Sequence, residues 1–139
     1  MNKANKKNIL FICKYNRFRS RIAEAYFKKI NINPSVKIKS AGIVRGSPLD
    51  KKQVKIARGF GLDLSGKPKG LTTELLKWQN IIVIVADDVP KELFKENKKY
   101  GKELFFIPQK DAQGDTIGES RKVIRAIIKE LDKLSNKIK

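Results

Sequence analysis

The chemistry-bearing residues of this 139-residue chain gather in one stretch, ILFICKYNRFRSRIAEAYF, at positions 9 to 27. It holds the only cysteine, Cys13, with Arg19 six residues on and Ser20 directly after it. A thiolate is a nucleophile, an arginine fork binds two oxygens of a tetrahedral anion, and a serine hydroxyl can hydrogen-bond a thiolate and ease its departure. An apolar run ends just before Cys13 and a helical pattern begins at Arg19, so C-K-Y-N-R-F-R-S forms a strand-to-helix loop. Successive backbone N–H groups at a helix N-terminus suit a tetrahedral oxyanion, and the helix dipole with Arg19 favours the thiolate. The plain alternative is a small buried hydrophobe, the common fate of a free cysteine. With seven arginines and ten serines and threonines in the chain, the observed offsets arise by chance in under roughly 1% of such sequences, which favours the chemical reading.

The elements around the loop are readable from periodicity. Residues 8–12 (NILFI) read as a buried strand, and from 19 to 30 Ile22, Ala23, Tyr26, Phe27 and Ile30 share one helical face. VKIKSA at 36–41 alternates as a strand, and 49–61 reads as a helix closed by glycines. A short helix at 72–78 precedes the strand IIVIVA at 81–86; a short helical segment near 90–95, the strand ELFFI at 103–107 and a helix from 117 to about 136 follow. Val123, Ile124, Ile127, Ile128, Leu131 and Leu134 form the stripe of that last helix, and Thr116 with Glu119 has capping-box spacing. Four strands separated by helices, two of them nearly continuous β-branched runs, predict an α/β fold: a four-stranded parallel sheet with helices on both faces. One domain spanning 1–139 is expected, without internal repeat or linker. Ligands of such sheets bind beyond the carboxyl ends of the strands. Cys13 follows the first strand, Ser40 ends the second and Asp111 follows the fourth, so all three belong to that edge.

Composition narrows the partners. The chain carries 32 Lys plus Arg against 14 Asp plus Glu, a net charge of +18, which calls for anionic partners or a strongly solvated surface. The cations are mostly lysine and scattered, with no basic stripe interleaved with aromatics, so no specific nucleic acid is expected. NIIVIVA and ILFI are far shorter than the ~18 residues of a membrane span, and the start MNKANKKN leads into no signal-peptide core. The expectation is a cytoplasmic protein with no membrane association, where a lone thiol stays reduced.

Nearly the whole chain resembles the low-molecular-weight protein tyrosine phosphatases and their arsenate reductase relatives. The resemblance is carried by the C-x-x-x-x-x-R-S loop with Asn16 inside it, S-A-G at 40–42, G-S-P-L-D at 46–50, G-L-D-L-S at 61–65, VADDVP at 85–90 and D-A-Q-G at 111–114. It implies a phosphate-binding loop of Lys14, Tyr15, Asn16, Arg17, Phe18 and Ser20 around the nucleophile Cys13 and Arg19. It also implies Asp111 as general acid and Asn16, Ser20 and Ser40 as braces of the loop. Asp87, Asp88 and Asp115 are read instead as turn-shaping carboxylates. The chain departs from the family at Tyr15, where glycine is usual, at Ala112 for the turn proline, and at Gln113 for an aromatic. The histidine that braces the loop in some members aligns with Gly66, and this chain has no histidine. Tyr15 or Phe18 could supply a ring at the rim or pack inward.

The activity implied is metal-independent hydrolysis of phosphate monoesters, protein phosphotyrosine first, through a phosphocysteine, with inorganic phosphate as product. No cofactor or metal is expected. The substrate is a phosphorylated protein or a small phosphate monoester. Two alternatives remain open: an arsenate reductase that borrows an external thiol, since the chain has no second cysteine, and a non-catalytic module that binds phosphate or a phosphoprotein.

Overall fold

Unbroken burial along the central strands, with successive side chains pointing to opposite faces, sets the layers. In the computed structural model, which describes residues 7–99, 102–112 and 117–138, the order is β1 (Lys7–Cys13), α1 (Arg19–Ile30), β2 (Val36–Gly42), α2 (Lys51–Gly59), α3 (Thr73–Trp78) and β3 (Ile81–Val85). A 3-10 turn (Lys91–Phe94), α4 (Glu96–Lys99), β4 (Glu103–Ile107) and α5 (Ile117–Ile138) complete it. Ile9, Phe11, Ile81 and Val83 face one layer, packed against Ile22 and Phe27 of α1, Ala57 of α2 and the stripe of α5. Leu10, Ile12, Ile82 and Ile84 face the other, with Phe94 and the partly buried Leu75 and Trp78. Both faces of β1 and β3 are therefore apolar, which is why these strands read as continuous runs.

The sheet is parallel throughout, in the order β2-β1-β3-β4. From β1 the chain moves to one side to form β2 and then crosses back to form β3 on the other, so strand order reverses between β1 and β3. The crevice of such a sheet opens at that point, beyond Cys13 and the residues after Val85.

Differences from the sequence reading have local causes. The second helix spans only Lys51–Gly59, because the Asp50 side chain accepts from Lys52 N at 2.8 Å and caps it, while Gly61 leaves the helical region at φ +76°. The segment read near 90–95 divides into the 3-10 turn and α4. On α1, Ile22, Ala23 and Phe27 are buried, but Ile30 is the last residue of the helix and is exposed. Thr116, half of the expected capping box, lies outside the described residues, as do Gln113 and Asp115.

Candidate active site

The loop from Cys13 to Ser20 is fixed from behind. The carbonyls of Cys13, Lys14 and Tyr15 accept from the N–H groups of Ile43, Val44 and Gly46. In a trans peptide each carbonyl is antiparallel to the next N–H, so the N–H groups of Lys14, Tyr15 and Asn16 turn away from the 43–46 segment. Gly42 is required here: a Cβ would lie 2.6 Å from Tyr15 C and 2.7 Å from Asn16 N, so any side chain would displace the loop. The first turn of α1 contains no acid and has no side-chain cap, which leaves its N–H groups for an anion.

Asn16 holds the loop's one special backbone conformation. Its φ is +56°, the only positive value among the described non-glycine residues, and asparagine tolerates that region. Tyr15, standing where glycine is usual, therefore needs no left-handed backbone. The buried Asn16 side chain donates through Nδ2 to Ser20 Oγ at 2.8 Å and Ser40 Oγ at 2.9 Å, and its Oδ1 accepts from Lys69 N at 2.9 Å. Both hydroxyls thus receive a hydrogen from the amide and have their own to give. Ser40 donates to Glu24 Oε1 at 2.5 Å, and Ser20 lies 3.0 Å from Cys13 Sγ with its hydrogen free for the sulfur. The chain of hydrogen bonds ends on two groups suited to negative charge, the Cys13 sulfur and the Glu24 carboxylate.

Burial pushes the Glu24 carboxyl up, but hydrogen bonds from Lys28 and Ser40 and the charges of Lys28 and Lys69 outweigh it and hold the pKa below the ordinary 4.5. Nearby on α1, a 2.6 Å hydrogen bond to Asp132 pushes the Tyr26 phenol up to about 12. The buried Arg21 guanidinium donates to the carbonyls of Ser65, Gly66 and Lys67. It secures the 65–67 turn at the position aligned with the missing histidine, just ahead of Lys69 and its bond to Asn16.

Arg19 is 2% exposed and spans the crevice. Nη1 donates to Gln109 O at 2.9 Å and Nη2 to Asp88 Oδ1 at 3.0 Å, while Asp87 lies 3.5 Å and Asp111 3.7 Å away. Asp111 is half-exposed, and its Oδ1 accepts from Ala112 N at 2.9 Å. Cys13, Tyr15, Arg17, Phe18, Arg19 and Asp111 line a cleft of about 170 Å³, joined by Asp50, Gln53 and Ala112. Phe18 turns into the core while Tyr15 stands at the rim, 41% exposed, with Lys14 Nζ 5.3 Å from its ring centre. Arg17 is held at the wall by the carbonyls of Ser47 and Pro48.

Cys13, Arg19, Asp111 and the loop residues are thus brought together, with Asn16, Ser20 and Ser40 linked behind them. Asp87 and Asp88, read from sequence as turn-shaping carboxylates, both stand against Arg19, and sequence reasoning gave no role to Glu24, Asp50 or Gln53. Glu24 was findable, four residues after Ser20 on the same helical face. Among the described residues no cluster of His, Cys, Asp and Glu could hold a metal, and no helix is long and apolar enough to cross a membrane.

The family model of the low molecular weight phosphotyrosine protein phosphatases matches residues 8–138. The chain belongs to this family. Its class follows: a cysteine-dependent, phosphatase-like enzyme that takes phosphorylated substrates and yields phosphate. Among solved structures, the chain is similar to an arginine phosphatase from Geobacillus stearothermophilus at 23% identity, over 95% of this chain and 92% of that one, with a TM-score of 0.79. A low-molecular-weight protein tyrosine phosphatase from T. tengcongensis matches at 25% identity, over 94% and 99%, with a TM-score of 0.78. An arsenate reductase from Archaeoglobus fulgidus matches at 23% identity, over 91% and 97%, with a TM-score of 0.70. The phosphatase fold family thus shares its architecture with reductases, and the residues of the cleft must separate the chemistries.

Proposed function

We propose that this protein hydrolyses phosphate monoesters, with protein phosphotyrosine as its substrate class, through a phosphocysteine at Cys13. The observation that supports this best is a thiol, a buried guanidinium and a half-exposed carboxylate, Cys13, Arg19 and Asp111, lining one small cleft. In the first step the Cys13 thiolate attacks phosphorus in line and the bond from phosphorus to the leaving oxygen breaks. The loop N–H groups and Arg19 hold the three non-bridging oxygens, and Asp111 gives its proton to the departing phenoxide. In the second step the ionised Asp111 takes a proton from water, the water oxygen attacks phosphorus, and sulfur leaves as a thiolate that accepts from Ser20. Asp88 and the Gln109 carbonyl orient the Arg19 fork, and Asn16, Ser20 and Ser40 brace the loop. The exposed Tyr15 ring suits an aryl leaving group by offset stacking. The lone cysteine weighs against the reductase reading, which would have to draw a second thiol from outside.

A second reading, phosphoarginine, is favoured by one feature: Asp50 and Asp111 both line the cleft, and two carboxylates suit a guanidinium leaving group. Initial rates on phosphotyrosine, phosphoserine, phosphoarginine and sugar phosphates decide between them. The phosphotyrosine reading requires the highest kcat/KM on that ester. A higher value on phosphoarginine moves the assignment to the second reading, and no turnover of any member leaves phosphate binding alone.

A further inference from the structure

A second hollow, about 670 Å³ against about 170 Å³ for the cleft, lies between α2 and α5. Lys52 and Lys55 of α2 and Arg121 and Arg125 of α5 stand exposed along its walls, and the half-buried Ile56 and Phe60 form an apolar floor. None of the described residues lining it is acidic. On a chain of net charge +18 a basic patch is unremarkable by itself; the position of this one is not. It shares α2 with the cleft, since Gln53 and the capping residue Asp50 line the cleft while Lys52, Lys55 and Ile56 line the groove. Gln53 Nε2 donates to Ser120 Oγ at 3.2 Å and ties α2 to α5 next to Arg121 of the groove.

We propose that this groove docks an acidic segment of the phosphorylated protein, adjoining the phosphoresidue held in the cleft. The inference rests on the phosphatase reading above and adds to it that the substrate is a protein with carboxylates near the phosphoresidue. Charge complementarity and the adjacency of Lys52 on the groove to Gln53 on the cleft carry it. The shape selects the occupant: Ile56 and Phe60 lie on a concave floor and cannot enter a bilayer, and the Arg125 guanidinium sits 5.8 Å from the Phe60 ring centre, where a stacking base would have to lie. A peptide instead brings carboxylates for the walls and short apolar groups for the floor. At 1.5 Å per helical residue, the groove from Lys52 to Gly59 is roughly 10 Å long, the reach of about three extended residues. Gln53 of the cleft and Lys55 of the groove lie within one helical turn, about 5.4 Å or the reach of about two extended residues, so the acidic positions lie about two to five residues from the phosphoresidue.

The test compares two phosphotyrosine peptides of equal length, one with Asp and Glu at those positions and one with Asn and Gln, together with p-nitrophenyl phosphate. The proteins are the wild type, a groove variant (Lys55→Ala, Arg121→Ala, Arg125→Ala) and a control (Lys37→Ala, Lys95→Ala, Lys98→Ala) that removes equal charge from other exposed positions. The wild type should favour the acidic peptide about tenfold in kcat/KM, through KM; the groove variant should lose that preference and the control keep it. Turnover of p-nitrophenyl phosphate, too small to reach the groove, should be alike in all three. No preference in the wild type, or equal loss in groove variant and control, overturns the docking site while leaving the phosphatase reading intact. A parallel fall on p-nitrophenyl phosphate also overturns it, since the groove would then be shaping the cleft. If no ester is turned over, the phosphatase reading fails instead, and fluorescence anisotropy of the unphosphorylated acidic peptide still measures docking. The groove variant should then bind about tenfold more weakly than the control. Equal binding, or tighter groove-dependent binding of a single-stranded oligonucleotide or a phosphatidylserine vesicle, contradicts the peptide assignment.

Discussion

On one side of the cleft, every buried polar side-chain atom between Cys13 and Ser20 has a partner: Asn16 bonds Ser20, Ser40 and Lys69, and Arg19 bonds Gln109 and Asp88. On the other side, Asp111 is half-exposed, with one short contact to the N–H of its own neighbour and Arg19 3.7 Å away. The anion-holding wall is rigid before any substrate arrives, and the acid-bearing wall is open to water. Electrostatic stabilisation depends on donors fixed in advance, whereas a proton donor must reach leaving groups of different size. The two walls should therefore respond differently to substitution: the loop wall alike for every substrate, the acid wall according to the leaving group.

The largest effect is expected at Arg19. Arg19→Lys replaces the planar fork with a point charge that cannot bind two oxygens and also satisfy Asp88, so kcat/KM should fall by about 10²–10³, similarly for p-nitrophenyl and phenyl phosphate. A loss confined to phenyl phosphate would place Arg19 on the acid side of the comparison. Asp111→Asn should slow phenyl phosphate by about 10²-fold but p-nitrophenyl phosphate by less than about tenfold, because nitrophenoxide leaves without a proton. Equal slowing of both esters would remove the acid role from Asp111, and the same series at Asp115, Asp87 and Asp88 would locate the acid.

Smaller effects probe the support of the rigid wall. Asn16→Gly keeps the φ of +56° accessible but removes three side-chain hydrogen bonds, and chemical denaturation should show a loss of about 3 kcal/mol. Asn16→Ala should cost about 1 kcal/mol more, the penalty of a left-handed backbone. Equal stability of the two would mean that the loop relaxes to another conformation. Glu24→Gln should cost about 1 kcal/mol near neutral pH. The Glu24 pKa is lowered by folding, so its contribution is present above the ordinary 4.5 and is lost as pH falls through the folded value. The stability gap between wild type and Glu24→Gln should accordingly close on acidification below 4.5; a gap independent of pH would assign it to packing.

The rigid wall was also the more legible one. Its strand, loop and helix are contiguous, so Cys13, Arg19 and Ser20 could be placed by periodicity, and α1 spans the expected 19–30. The place of Ser40 at the end of the second strand and of Asp111 after the fourth assigns both to the same edge, although β2 runs two residues beyond Ser40, to Gly42. Lateral order was not legible: that β3 lies beside β1, bringing Asp88 onto Arg19, follows from how the crossovers pack, and turn residues alone do not reveal it. The same holds for Asp50 and Gln53, whose helix reaches the cleft by packing on α5 through Ser120. Arg21 carries no sequence signal of its own: it is buried on three carbonyls of a turn more than forty residues away in sequence, a contact that no local pattern reveals.

Hydrolysis through a phosphocysteine requires Cys13 to carry the phosphoryl group, and trapping the intermediate tests this most directly. Phenyl phosphate turnover would be quenched in acid within the first catalytic cycle and the peptide containing Cys13 examined by mass spectrometry, with Cys13→Ser as the comparison. The wild type should carry one phosphoryl group on Cys13, and Cys13→Ser should keep an intact fold with turnover reduced by at least about 10⁴-fold. Turnover with no phosphoryl group on Cys13, or substantial activity in Cys13→Ser, would contradict it.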